Sequence, residues 1–147
     1  MKNTINKYFE VKVRLQKTME DGQQKKVSEQ YVVEAATFGE AERRIEECLK
    51  PYIEGEFEVT DIKIAGYVQI INTNQDADKF FKAKVSFVTL DETTGKEKKT
   101  SELYLVQSDS LESAESDVKS FLNDGNTTIS SISETAILDV FPFHRRP

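Results

Sequence analysis

The strongest constraint on this 147-residue chain is that it repeats itself. The run from Lys7 to Leu15 (KYFEVKVRL) reads against Lys79 to Phe87 (KFFKAKVSF) at an offset of 72. Lys25 to Val33 (KKVSEQYVV) reads against Lys98 to Val106 (KKTSELYLV), and Thr37 to Glu42 against Ser110 to Glu115, both at 73. Val59 to Ile62 reads against Ile129 to Ile132 at 70. The offset drifts only where loops belong, and the four blocks keep their order. A repeat of this kind governs the architecture before any single element does.

Each copy reads as strand, strand, helix, strand. Phe9, Val11, Val13 and Leu15 alternate with Tyr8, Glu10, Lys12 and Arg14, the period of a half-buried strand. Turn clusters ending at Gly22 and Gly95 separate it from a second strand near 26–34. Thr37 and Ser110 stand at helix N-cap positions, and only Thr37 has the Glu40 that completes a capping box. Phe38, Ala41, Ile45 and Leu49 then share one helical face, as do Leu111, Ala114, Val118 and Leu122. Pro51 and the Asn123–Gly125 turn end the two helices. The third strand is expected from about Phe57 to Ile71, bent near Gly66, and again from about Ile129 to Phe141. The polar link 72–78 is the natural boundary, giving repeats at 1–72 and 73–147. The expected fold is α+β: a tandem ββαβ duplication, mainly antiparallel, helices on one side, fused about a pseudo-twofold axis into one body.

Composition narrows the chemistry. A single cysteine, Cys48, and a single histidine, His144, leave no set for a thiolate zinc site, an internal catalytic triad or a His-x-x-x-His metal site. Cys48 aligns with Phe121, so packing is its expected role. The six glycines are too scattered for a phosphate loop. No apolar run is long enough to span a bilayer, and 1–10 lacks a signal-peptide core. A cytoplasmic, non-membrane protein without catalytic activity, cofactor or metal is the expectation.

The runs KYFEVKVR from Lys7 and QKKVSE from Gln24 resemble a conserved-hypothetical family of Bacteroidales bacteria and their phages. So do FFKAKVSF from Phe80, LDETTGKEKK from Leu90 and DVFPF from Asp139. The likeness spans about 7–143 and implies no catalytic or binding residue. Duplicated strand-rich units with one helix each also resemble the Pur-alpha and whirly-type single-stranded nucleic-acid-binding folds. Those folds place four strands before the helix, where two are read here.

Charge distribution supplies the functional expectation. The hairpins 7–33 and 79–106 each carry net +2, whereas the helical stretches 38–49 and 111–122 each carry −2, inside a chain of net −6. A helix covers one face of a sheet, so the opposite face is the more positive one, a path for a phosphate backbone. Lys12, Arg14, Lys25, Lys26, Lys84, Lys98 and Lys99 would contact phosphate, and Tyr8 and Phe80 would stack bases. Tyr31 and Tyr104 have no assignable face, because the second strand carries apolar residues at both parities. The repeated carboxylates Glu29/Glu102 and Glu42/Glu115 fit solvated or salt-bridged surface better than acid–base or cation chemistry. The leading expectation is a single-stranded nucleic-acid-binding module. The alternative is a protein-interaction or regulatory module, docking through acidic helices, strand edges or a homo-oligomeric contact.

Overall fold

A computed structural model of the chain describes residues 7–123 and 125–143. His144 lies outside them. The order of elements is β1 (Lys7–Thr18), β2 (Gln24–Ala35), α1 (Phe38–Leu49), β3 (Phe57–Ala65), β4 (Tyr67–Ile71), β5 (Lys79–Leu90), β6 (Glu97–Ser108), α2 (Leu111–Leu122), β7 (Thr127–Glu134) and β8 (Ile137–Phe141). The described residues form two compact units, one of 7–65 with 136–143, the other within 66–135.

In the first unit the strands run β3-β1-β2-β8, and in the second β7-β5-β6-β4. The hairpins β1–β2 and β5–β6 and the outer strands β3 and β7 pair antiparallel. The fourth strand of each sheet is the surprise. β4 pairs parallel with β6, and β8 pairs parallel with β2. The expected long third strand is therefore broken at Gly66 and again at Thr135–Ala136, and its second part completes the other unit's sheet. This exchange moves the division of the chain away from the expected 72/73 boundary. Gly66 does not cause the break through special conformation: it has no positive φ, and an added Cβ would meet only Leu103 Cδ1 at 3.7 Å.

One helix covers one face of each sheet. Phe9, Val11, Val13, Leu15 and Val33 form a core with Ala41, Ile45 and Leu49 of α1, and Phe81, Ala83, Val85 and Val106 one with Ala114 and Val118 of α2. The helices start where their caps sit: the Thr37 and Ser110 hydroxyls accept from the N–H groups of Glu40 and Ser113, both at 3.1 Å. The Glu40 carboxylate reaches back to the Ala36 N–H at 2.6 Å. α2 ends on Asn123 in the left-handed region (φ 35°, ψ 38°). One extra residue bulges each outer strand at the same place, between the pairs Lys12–Asp61 and Val13–Val59 and between Lys84–Ser131 and Val85–Ile129.

The face away from each helix is not uniformly wet. Val32 and Leu105 are fully buried there, and Phe80 is only 2% exposed. β8 is held beyond its ladder by Arg44. Its guanidinium donates to the carbonyls of Glu34, Phe141 (3.3 Å) and Pro142 (3.2 Å), and lies 4.5 Å from the Phe143 ring centroid. The Phe143 N–H donates to Glu34 Oε1 at 3.0 Å, and Phe141 stacks on Tyr31 at 5.8 Å.

Candidate nucleic-acid interface

The β1–β2 and β5–β6 ladders place the expected phosphate contacts on two different backgrounds. On β1, Lys12 and Arg14 are exposed and point away from α1. Directly across the ladder from them stand Asp61 and Glu58 of β3, and the neighbouring Glu10 bonds Lys63 at 3.5 Å. Lys12 and Arg14 thus each have an acidic neighbour, which cancels most of the field a phosphate would meet there, whereas Lys26, exposed on the same face, stands across from Gln16.

In the second unit the same positions differ. Lys82 and Lys84 are exposed on the face away from α2, and their β7 neighbours are Ser133 and Ser131. Lys99, opposite Val88, extends the row on the same face. Among the described residues none of the three makes an ion pair. Alternate residues of a strand stand about 6.6 Å apart, so Lys82 and Lys84 present two cations in line. Lys98 is exposed but belongs to the opposite parity, with Thr89 across from it. Sequence reasoning missed Lys82 because its repeat counterpart is Glu10. The alternation of β5 alone would have found it.

The aromatic half of the expected site is corrected. Phe80 is buried, so it offers no ring for a base. Both Phe80 and Phe81 are inside because β5 is covered on both faces at this end. Tyr8 is half-buried opposite Glu34. Tyr31 and Tyr104, left without a face by the sequence, lie on the helix side. Their hydroxyls donate to Glu29 at 2.8 Å and to Glu102 at 3.1 Å. Burial, followed by the hydrogen bond and charge of Glu29, pushes the Tyr31 hydroxyl well above the usual range. These carboxylates thus orient tyrosines. Among the described residues no group of acidic, His or Cys side chains is arranged to hold a metal ion.

Arg14 and Lys26 line a groove of about 940 Å³ in the first unit. The hairpin overhangs here: β1 and β2 pair out to Thr18–Gln24, three residues past the last β1–β3 pair, Leu15–Phe57. Lys17, within the groove, bonds Glu29 at 2.7 Å. Against these three cations stand Glu29, Glu54, Glu56 and Glu58, so the groove has no excess of positive charge. Lys25 is exposed on the same hairpin, outside the groove lining. Cys48 is half-buried, and burial raises its thiol pKa in spite of nearby Arg44.

The family described as Domain of unknown function (DUF4494) matches residues 7–143. No curated protein matches the sequence. Among the described residues no helix is long and apolar enough to cross a membrane.

Proposed function

The chain belongs to the DUF4494 family, a domain of unknown function, and we propose that it is a non-catalytic module that binds single-stranded nucleic acid through the sheet of its second unit. The observation that carries this reading is the exposed row Lys82, Lys84 and Lys99, in which Lys82 and Lys84 are flanked on β7 by the hydroxyls of Ser133 and Ser131 rather than by carboxylates. Lys98 supports it from the adjoining edge of the hairpin. Affinity comes from phosphate contacts rather than from base stacking, which predicts weak sequence preference. The wider reading includes a tandem duplication, supported by the four ordered sequence matches and by the same strand order in both sheets. In this reading the two copies have diverged: acidic residues on β3 silence the first basic face, and serines on β7 leave the second one open. The resemblance of the runs from Lys7, Gln24, Leu90 and Asp139 adds to this proposal that the module is an accessory factor of a bacterium or its phage.

The test is charge reversal. Lys82→Glu with Lys84→Glu should abolish binding of a labelled single strand, because two attractive contacts become repulsive. Lys12→Glu with Arg14→Glu should weaken it by less than about threefold, since that face is already balanced. Equal losses from both pairs would defeat the assignment to the second unit. The competing reading is a peptide-binding module, favoured by the mixed-charge groove beneath the first hairpin. Binding that is insensitive to both lysine pairs and to salt would favour it.

A further inference from the structure

We propose that the outer edge of β7 is a self-association surface at which a second copy of this chain adds its own β7 antiparallel, joining two four-stranded sheets into one. β7 is the terminal strand of its sheet and pairs only with β5 among the described residues. A terminal strand offers a row of backbone N–H and C=O groups to any extended partner, and proteins ordinarily guard such edges with charge, proline or shortness. β7 lacks these three guards, its bulge at Ser130 being the one device present: it is eight residues long, TTISSISE, and carries no charge before Glu134. In a chain with 31% charged residues that stretch stands out. The comparison inside the molecule is direct. β3 holds the same edge position in the first sheet and carries Glu58, Asp61 and Lys63, all exposed, which a junction would have to desolvate. β4 and β8, the other two edges, are only five residues long and irregular in register.

The occupant follows from self-complementarity. A twofold axis between Ser130 and Ser131 sets Ile129 of one copy opposite Ile132 of the other, and Thr128 opposite Ser133. The bulge at Ser130 makes this register consistent, because it turns Ile129 and Ile132 to the same side, where both pack on the α2 core. Every facing pair is then apolar with apolar or hydroxyl with hydroxyl, apart from Thr127 with Glu134. An isologous contact of this kind closes at two copies and does not propagate. One edge-to-edge junction buries little area, so the dimer is a weak one.

Sedimentation velocity of the full chain over a wide concentration range tests this. The expected result is a reversible monomer–dimer equilibrium. Thr128→Lys with Ser131→Lys adds four lysines to the junction from exposed positions and should weaken the dimer at least tenfold. Thr60→Lys on β3 should leave it unchanged. A wild-type chain that stays monomeric throughout, or a double variant that dimerises as well as wild type, overturns the proposal. If the double variant fails to fold, hydrogen exchange of wild type decides. Amides of 128–133 should gain protection as concentration rises, and protection independent of concentration contradicts the dimer.

Discussion

Cutting the chain in the link 72–78 should leave the two fragments bound to each other. A protease site placed over Asn74–Asp76 lies between β4 and β5, outside every strand. After cleavage the N-terminal fragment keeps β1, β2, α1 and β3 but still supplies β4 to the second sheet. The C-terminal fragment still supplies β8 to the first. Separation must therefore strip one strand from each sheet. Tyr67 and Ile71 of β4 and Ile137 of β8 are almost wholly buried. At about 1.5–3 kcal/mol per buried side chain, these three residues contribute about 5–9 kcal/mol. The parallel ladders and the Arg44 contacts to Phe141 and Pro142 add to that. A total of about 8 kcal/mol corresponds to a dissociation constant near 1 µM, and a larger total to a tighter one. Size-exclusion chromatography with native mass spectrometry of the cut protein, at about 10 µM, should give one species carrying both fragments. Two species that elute apart without denaturant would refute the exchange of β4 and β8.

Further outcomes follow from particular residues. Gly66→Ala should cost less than about 1 kcal/mol in denaturant unfolding, because the position has ordinary φ and room for a Cβ. Asn123→Val should cost about 1–2 kcal/mol, because a β-branched residue is strained in the left-handed region, whereas Asn123→Gly should be near neutral. The folded state holds the Tyr31 hydroxyl above its unfolded value near 10. Its contribution is unchanged below that pH and is lost above it, by about 1.4 kcal/mol per pH unit. Wild type should therefore lose stability more steeply than Tyr31→Phe between about pH 10 and 11, and equal slopes would contradict the buried, neutral tyrosine.

Much of each unit was legible because local pattern and fold agree. Alternation gave β1 and β5, and the Thr37 and Ser110 caps gave the starts of helices that span 38–49 and 111–122. The exchange was not legible. Tyr67–Ile71 has the same apolar character whether it extends β3 or crosses to β6, and no local rule reports the partner of a strand. Phe80 failed for a related reason: alternation put it beside Lys84 on an outer face, yet β5 is covered on both faces at that end. Two adjacent phenylalanines, like Val32–Val33 and Leu105–Val106, are the signal of a strand covered on both sides. The charge of the first hairpin was read correctly along the chain but not across it. Asp61 and Glu58, about 45 residues away in sequence, stand next to Lys12 and Arg14 only once β3 has paired.

Fluorescence anisotropy of a labelled single strand of about 30 nucleotides, titrated at low and at physiological salt with duplex as control, tests the proposed function most directly. With three phosphate contacts the slope of log affinity against log salt should be about −2, so a threefold rise in salt weakens binding of the single strand about tenfold. No binding at low salt, or binding that salt does not weaken, would contradict a phosphate track on Lys82, Lys84 and Lys99.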